Sequence, residues 1–440
     1  MQKPLINNFN PQRPIVKKGD RVITQGELIA QAKHLAQQLP QGDHYINLCQ
    51  CRHHFLVSFC AAIIKHSTTL LPPNRQADTV NELCYRYKKT VILKDTDNDA
   101  YQHTQVDITE LLKHNITPAT QTVAIDSDST AVIAFTSGST GKPSAVIKSW
   151  KTLTGTAESL AARFTTKEKN IVATVPSQHM YGLEMTTMMA LYGQAIINAD
   201  HPFYPQDIIS QLKKSPSPKI LITTPIHLKT VVNSHLQKIV VEHIISATAP
   251  LEESLAEASE HFFSANVEEI YGCTEGGSLA SRQTTISKQW TWLKNISATE
   301  RNQAIHISAT YLDNTIPLHD QLKLIDNEKF LLLGRPSDLI NVAGKRTSIA
   351  ELNHKFMSII GITDAHFFIP EHDASQINIR PSALVVSDMK EYAILQQASK
   401  LIDPVFLPRP LHIIPKIPRN GTGKVTKKAL NNIIQEITHE

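Results

Sequence analysis

The chain has 440 residues, of which 41% are hydrophobic and 19% charged, and its formal net charge is +4. This composition is typical of a globular protein and excludes disordered, collagen-like and coiled-coil chains. The charge is too balanced to indicate a nucleic-acid-binding protein by itself. Five cysteines, an odd number in a long chain, favour a reducing compartment over a disulfide framework.

The N-terminal residues contain neither an apolar core nor a small-residue cleavage site, so we expect no signal peptide. The most apolar windows, such as 55–64, are too short and too interrupted to span a membrane. We therefore expect a cytoplasmic protein that binds neither a membrane nor nucleic acid.

Short β-branched runs alternate with amphipathic segments over the first three quarters of the chain. Helices are predicted at 55–65 and 156–164, where apolar residues recur at helical spacing. Strands are predicted at 45–48, 90–93, 132–135, 171–175, 195–198, 219–223 and 243–247. This alternation predicts an α/β fold with mixed or mostly parallel sheets, and the continuous apolar strands indicate burial on both faces.

A second, smaller domain is predicted at the C-terminal end. A strand at 330–333 runs into a Gly-Arg-Pro-Ser-Asp turn, which is the clearest candidate boundary. The pattern beyond it is α+β, with helices at 349–359, 391–401 and from 426, and strands at 365–369, 383–386 and 411–414. We predict a large domain over 1–335 and a small one over 336–440.

The strongest local motif follows the predicted strand at 132–135. It consists of Thr136, Ser137, Gly138, Ser139, Thr140, Gly141 and Lys142. Backbone N–H groups and hydroxyls in such a loop can bind phosphate oxygens, and the lysine adds positive charge. Only two residues separate the glycines, so this is not a Walker A loop, and an ordinary surface turn is the alternative.

Two further motifs suggest phosphate chemistry. The run YGCTEGG at 271–277 places an aromatic ring, a hydroxyl and a carboxylate before paired glycines, which suits base stacking and Mg²⁺ binding near phosphates. The run IPRNGTGKV at 417–425 ends a glycine-rich loop with Lys424, which such a loop can deliver to a distant site. A capped loop and a solvated basic turn are the respective alternatives.

In their order and separation, these three motifs resemble those of the adenylate-forming (ANL) superfamily, which includes acyl-CoA synthetases, nonribosomal adenylation domains and luciferases. Further matches are VPSQHMYGL at 175–183, SATAPL at 246–251 and GRPSDLINVAGKR at 334–346. The resemblance covers nearly the whole chain. It implies a trimmed large domain and a small, mobile C-terminal domain.

The resemblance implies an enzyme that uses ATP and Mg²⁺ in two steps. A carboxylate attacks the α-phosphorus to give an acyl-adenylate and pyrophosphate, and a thiol then displaces AMP. Lys424 would bridge the substrate carboxylate and the nucleotide. Glu275 would hold Mg²⁺, Thr274 would contact the α-phosphate, and His179 would control access to the acyl site.

The resemblance also assigns nucleotide and substrate contacts. Tyr271 would stack on adenine, Asp320 would accept both ribose hydroxyls, and Arg335 would reach the ribose or phosphate. Ser337 stands at the hinge, where the family usually has Asp or Lys. The acyl substrate would contact Tyr181, Gly182, Ala247, Thr248 and Gly276.

Several positions depart from the family pattern. Ser144 and Ala145 replace the usual Lys-Gly, Trp150 replaces a common histidine, and the SATAPL segment lacks both of the usual glycines. None of these changes removes the residues assigned to catalysis. An active enzyme is therefore favoured over a non-catalytic nucleotide-binding relic.

The segments expected to line the acyl pocket are small and neutral. They favour an aryl or fatty acid over an amino acid, whose ammonium would need a buried carboxylate. The short chain and the LLPPN segment at 70–74 resemble compact AMP-ligases of aryl-polyene-type pigment pathways. That resemblance implies a hydroxylated aryl acid loaded onto an acyl carrier protein. A fatty acyl-CoA or fatty acyl-carrier synthetase is the alternative.

Two other segments have competing interpretations. The basic run at 416–428 can contact an acidic carrier protein or form a solvated face. The CQCRHH run at 49–54 looks like a metal cluster, but no second ligand pair follows at zinc-finger spacing. We therefore expect no metal at 49–54.

Overall fold

The computed structural model describes residues 1–96, 100–113, 116–136, 144–164, 166–301, 304–334, 339–342, 345–370, 380–419 and 425–439. The chain divides into two compact units. The first comprises Met1–Ala298 with Ile307–Ile316, and the second comprises Thr299–His306 with Pro317–Glu440. Residues 317–334 therefore group with the C-terminal unit. Because residues 335–338 lie outside the described part, the boundary at 335/336 stays a prediction.

The first unit contains most of the strands and helices. Its strands are β1 (Gln2–Pro4), β2 (Pro14–Lys18), β3 (Arg21–Thr24), β4 (His44–Asn47), β5 (Thr68–Leu71), β6 (Thr90–Lys94), β7 (Gln105–Asp107), β8 (Ala124–Asp126), β9 (Thr130–Thr136), β10 (Ser144–Ser149), β11 (Asn170–Ala173), β12 (Ile196–Asn198), β13 (Lys219–Thr223), β14 (His243–Ser246), β15 (Asn266–Cys273), β16 (Gly277–Gln283) and β17 (Gln289–Trp292). Its helices are α1 (Gln25–Gln38), α2 (Arg52–Ile64), α3 (Ala77–Arg86), α4 (Ile108–Leu111), α5 (Trp150–Phe164), α6 (Met180–Gly182), a π-helical segment (Leu183–Met188), α7 (Met189–Leu191), α8 (Pro205–Lys214), α9 (Pro225–Val232) and α10 (Glu253–Phe263).

Two mostly parallel sheets organise the first unit. One has the strand order β10-β9-β5-β4-β6-β7, in which only the β10–β9 pair is antiparallel. In the other, β2, β12, β11, β13, β14 and β15 form a parallel core, flanked by antiparallel β3, β16 and β17. All residues of β11 and β13 are buried, as expected for parallel strands covered on both faces. The predicted α/β class is confirmed.

Helix α5 begins at Trp150, whereas the sequence predicts a start at 156. The missed turn contains threonines and Gly155, which have low helix propensity, and burial of this face overrides that preference. Gly155 allows a close approach, because a Cβ there would lie 2.2 Å from Cβ of Tyr311. This close approach thus joins two residues that are remote from each other in sequence.

The second unit has the predicted α+β pattern after its first hairpins. Three strands extend across the unit limits or close to them: β18 (Ile296–Arg301), β19 (Ala304–Ala309) and β20 (Ile316–Pro317). They are followed by β21 (Gln321–Leu324), β22 (Lys329–Gly334), β23 (Leu339–Val342), β24 (Lys345–Ser348), α11 (Ile349–Met357), β25 (Ile362–Phe368), β26 (Ser382–Ser387), α12 (Glu391–Ala398), a 3₁₀ turn (Pro404–Phe406), β27 (Leu411–Ile413) and α13 (Lys427–His439). Strands β25, β26 and β27 form one sheet, and Phe356 and Phe367 are fully buried beside it. Among the described residues, no helix combines the length and apolarity needed to cross a bilayer.

Candidate active site

The hairpin between β15 and β16 carries the YGCTEGG motif. Its strands pair in antiparallel register with Cys273 opposite Gly277, so residues 274–276 form the connecting turn. The Thr274 side chain is half-buried and the Glu275 side chain is exposed. The turn therefore presents a carboxylate to solvent beyond the carboxyl end of a parallel strand, where α/β proteins commonly bind ligands.

Steric constraints explain the glycines of this hairpin. Gly277 has a φ of +75°, and a Cβ there would lie 2.4 Å from Oε1 of Glu184. A Cβ on Gly272 would lie 2.3 Å from the carbonyl oxygen of Gly277. Any side chain at these two positions would displace its neighbours, so the glycines are needed for the shape of the turn.

The aromatic and thiol groups of the motif have defined contacts. Tyr271 is 8% exposed, and its ring packs edge-on against Trp290 with centroids 5.8 Å apart. Its predicted stacking on adenine stays a prediction. Burial raises the pKa of the Cys273 thiol to about 11, and its Sγ accepts a hydrogen bond of 3.3 Å from the Gly276 backbone N–H. The thiol is therefore protonated at neutral pH, which does not suit a nucleophile.

The segment 176–182 packs against the end of β14. The Tyr181 hydroxyl donates a hydrogen bond of 2.8 Å to the Ile245 carbonyl, and burial raises its pKa. A Cβ on Gly182 would lie 2.0 Å from the Pro176 carbonyl oxygen, so only glycine allows this turn. His179 is half-buried and immediately precedes α6. The Tyr181 hydrogen bond thus connects one segment predicted to bind the acyl group to the strand residue that directly precedes another, at 246–251.

The turn after β14 holds backbone strain. Thr248 has a φ of +80°, which is unfavourable for a β-branched residue. The sequence lacks the two glycines of the motif that it resembles, and Thr248 adopts the left-handed conformation in their absence. Ala247 is buried, and the fully buried Ser246 hydroxyl has no hydrogen-bond partner within the described residues. Strain and an unsatisfied hydroxyl therefore coincide beside the predicted acyl site.

Two buried charged side chains contact the motif hairpin, and the sequence did not reveal either. Lys148 of β10 is 2% exposed, and its ammonium donates a hydrogen bond to the Glu275 carbonyl. Glu184, also 2% exposed, accepts hydrogen bonds from the Ser278 backbone N–H at 3.1 Å and hydroxyl at 2.6 Å. Neither residue belongs to the segments that the sequence predicts to line the acyl pocket.

The pKa values of the two groups follow from their burial. Burial lowers the pKa of Lys148 and raises that of Glu184, and the opposite charge of each partly counters the shift of the other. Glu184 is the one charged residue of the run LEMTTMMAL at 183–191. A lone carboxylate in such a run is the signal by which the sequence alone suggests a special role. Glu184 also lies in a π-helical segment, a feature that often marks functional sites.

The CQCRHH run forms a cap for helix α2. The two carboxylate oxygens of Asp95 accept from the backbone N–H groups of Gln50 at 2.7 Å and Cys51 at 2.9 Å, and from Nδ1 of His54 at 3.0 Å. Nζ of Lys18 lies 2.9 Å from Nε2 of His54. The ligand atoms of Cys51, His54 and Asp95 lie within 4.8 Å of one another, and these hydrogen bonds account for their proximity.

Arg52 connects this cap to the acyl segment. Its buried guanidinium donates hydrogen bonds of 2.7 Å to the carbonyls of Ala173 and Val175, and a further one to the carbonyl of Asp200. Burial lowers its pKa to about 10, so it stays charged at neutral pH. Arg52 therefore fixes the backbone that leads from β11 into 176–182.

The remaining predicted residues divide into two groups. Asp320 belongs to the second unit, where its half-buried side chain directly precedes β21. Thr136 is the last residue of β9. The other calls lie outside the described residues: Ser137, Gly138, Ser139, Thr140, Gly141, Lys142, Arg335, Ser337 and Lys424.

Comparisons with known proteins identify the family and its relatives. Residues 8–308 match the family model described as AMP-binding enzyme. A probable CoA ligase of Humulus lupulus is 24% identical over 369 residues, which cover 73% of this chain and 66% of that protein. A 3,4-dihydroxybenzoate–[aryl-carrier protein] ligase of Bacillus anthracis is 22% identical over 317 residues, covering 68% of this chain and 73% of that protein. The alignment thus spans just under two thirds of the plant protein.

The fold is similar to that of solved ligases. O-succinylbenzoate coenzyme A synthetase from Bacillus subtilis, in complex with ATP and magnesium ion, has a TM-score of 0.82 at 17% identity. The match covers 98% of this chain and 100% of that chain. It confirms the predicted fold over nearly the whole length.

Proposed function

Because the chain belongs to the AMP-binding enzyme family of adenylate-forming proteins, we propose that it activates a carboxylic acid with ATP and transfers the acyl group to a thiol. In the first step a carboxylate oxygen attacks the α-phosphorus. The bond from that phosphorus to the bridging oxygen breaks, and pyrophosphate leaves. In the second step a thiol sulfur attacks the acyl carbon, the bond to AMP breaks, and the thiol proton passes to solvent.

One observation carries this proposal: three separated motif segments meet at the carboxyl edge of one parallel sheet. Segment 176–184 follows β11, the Thr248 turn follows β14, and the 274–276 turn follows β15. These strands run parallel, so the segments share an edge. The Tyr181 hydroxyl bonds to Ile245 and Glu184 bonds to Ser278, which connects the segments directly.

The first step brings two anions together, so it requires positive charge. The exposed Glu275 carboxylate is a hard oxygen donor of the kind that Mg²⁺ prefers, and it would hold the ion. Bound Mg²⁺ would supply charge neutralisation at the phosphates. Thr274 lies beside Glu275, and its hydroxyl would donate a hydrogen bond to the α-phosphate. Lys424 would bring the substrate carboxylate to the nucleotide.

For the acid, we propose a hydroxylated aryl acid. An amino acid would need a buried carboxylate for its ammonium, but Glu184 already accepts two hydrogen bonds from Ser278 and lies in the field of Lys148. The Bacillus anthracis relative is named for a dihydroxylated aryl acid and an aryl-carrier protein. These points support aryl activation followed by transfer to the phosphopantetheine thiol of a carrier protein.

CoA is the competing acceptor, because the Humulus lupulus relative is described as a CoA ligase. The deciding experiment is acid-dependent ATP–pyrophosphate exchange across hydroxylated benzoates, cinnamates and fatty acids, followed by transfer to CoA or a holo-carrier protein. We expect hydroxylated aryl acids to support the fastest exchange. Faster exchange with fatty acids favours a fatty acyl synthetase, and no exchange with any acid favours a non-catalytic relic.

The role of Lys424 is tested in the same assay. Lys424→Ala should reduce exchange by at least tenfold, because the positive charge between the two reacting anions is lost. Lys416→Ala removes the same charge from an exposed position in the same basic run and should retain exchange. Wild-type exchange in Lys424→Ala would show that the assigned role is wrong.

A further inference from the structure

Lys148 and Glu184 contact the same hairpin at two points. The Lys148 ammonium bonds to the carbonyl of Glu275, in the middle of the turn. The Glu184 carboxylate bonds to Ser278, just beyond the turn, and lies against Gly277. The backbone that follows the Glu275 side chain is therefore held at two points by buried charged groups from two other elements.

Simple packing does not explain these residues. Burying an ammonium or a carboxylate costs free energy that a leucine or methionine of similar size would avoid. Each group is 2% exposed, and burial shifts the pKa of each in the direction that favours the neutral form of the side chain. Each is nevertheless placed so that its charge is used in hydrogen bonds to one hairpin.

The position of Lys148 in the chain strengthens the link to phosphate chemistry. It lies on β10, the strand that follows the motif at 136–142 and pairs with β9 before that motif. Its hydrogen bond thus connects this strand to the 274–276 turn. The sequence predicts phosphate contacts for the motif that precedes this strand and for the turn.

Resting on the proposed function, we propose that Lys148 and Glu184 are positioning residues that hold the 274–276 turn so that the Glu275 carboxylate meets Mg²⁺–ATP in one orientation. Neither side chain needs to touch the nucleotide. Lys148 fixes the carbonyl of Glu275, and Glu184 fixes the following strand through Ser278. Weakening either contact should reduce the affinity for Mg²⁺–ATP and leave the affinity for metal-free ATP unchanged.

The test compares ATP binding by calorimetry in Mg²⁺ and in EDTA. Lys148→Met keeps the size of the side chain and removes its charge, and Glu184→Leu keeps a similar size and removes both acceptor oxygens. Ser278→Ala removes one of the two hydrogen bonds to Glu184 and is the mildest change. Lys151→Met is the matched control, because Lys151 is partly exposed and pairs with Asp313 at 3.4 Å, away from the hairpin contacts.

We expect Lys148→Met and Glu184→Leu to raise the Kd for Mg²⁺–ATP about tenfold and to leave the Kd in EDTA within about twofold of wild type. Ser278→Ala should raise the Mg²⁺–ATP value about threefold, and Lys151→Met should change neither value. Urea unfolding identifies the variants that fold, and Ser278→Ala decides the question if the two stronger variants do not.

Equal losses in Mg²⁺ and EDTA, or unchanged affinity in both, would overturn the proposal, because a merely structural role predicts no selective effect. The binding comparison needs no acid substrate. Failure of every acid in pyrophosphate exchange would therefore count against the proposed function, while the ratio of the two Kd values still decides the role of Lys148 and Glu184.

Discussion

Gly277→Ala should destabilise the first unit because glycine is required at this position for two reasons. A φ of +75° costs an alanine about 1–2 kcal/mol. The added Cβ would also lie 2.4 Å from Oε1 of Glu184. Relieving this clash moves the carboxylate away from Ser278, and weakening those two buried hydrogen bonds costs about 1–3 kcal/mol. The expected loss is therefore about 2–5 kcal/mol.

Gly19→Ala is the matched control for strain alone. Gly19 has a φ of +60°, and a Cβ there would meet nothing within 4 Å, so we expect a loss of about 1–2 kcal/mol. Urea unfolding followed by tryptophan fluorescence reports on the first unit, which contains all three tryptophans. In a Glu184→Ala background, the cost of Gly277→Ala should fall to that of Gly19→Ala. Equal costs for the two glycines in the wild-type background would refute the clash.

Two further predictions concern strain and acid sensitivity. Thr248→Gly should be about 1 kcal/mol more stable than Thr248→Ala in urea unfolding, because glycine accepts the φ of +80°; a more stable alanine variant would contradict backbone strain. Burial lowers the pKa of His53 to about 3 and of His227 to about 4 from 6.5, so the unfolded chain binds more protons and stability falls as the pH drops below 6.5. Burial also lowers the pKa of His201 to about 3. Each of these three histidines should remove about 2 kcal/mol between pH 7 and pH 5, so His53→Gln should abolish roughly a third of their combined effect. A flat stability profile would contradict their burial as neutral groups.

The strands were the most predictable part of the fold. The run at 219–223 is continuous and apolar, and β13 occupies the same residues, because a parallel strand buried on both faces needs no polar alternation. The start of α5 was less predictable. Gly155 lies close to Tyr311, which is far away in sequence, and the local pattern does not reveal this contact.

The site shows the same division between local and remote information. The sequence motifs identified the segments that meet at the sheet edge. These segments lie at the same edge because each of them follows a strand of one parallel sheet. Lys148 escaped notice because nothing local shows that its charged side chain will be buried, whereas Glu184 is marked only as the one charged residue of the run at 183–191. The CQCRHH run resembles a metal cluster in sequence, and the structure adds its hydrogen bonds to Asp95, which directly follows β6 and is remote in sequence.

The most direct test of adenylate formation is to identify the products made from ATP and an active acid in the absence of a thiol. We predict that pyrophosphate and an enzyme-bound acyl-adenylate form in equal amounts, detected by chromatography and mass spectrometry. AMP should be released when a phosphopantetheine thiol is added, together with the acyl thioester. Formation of ADP and phosphate, or of no product with any acid, would contradict the account.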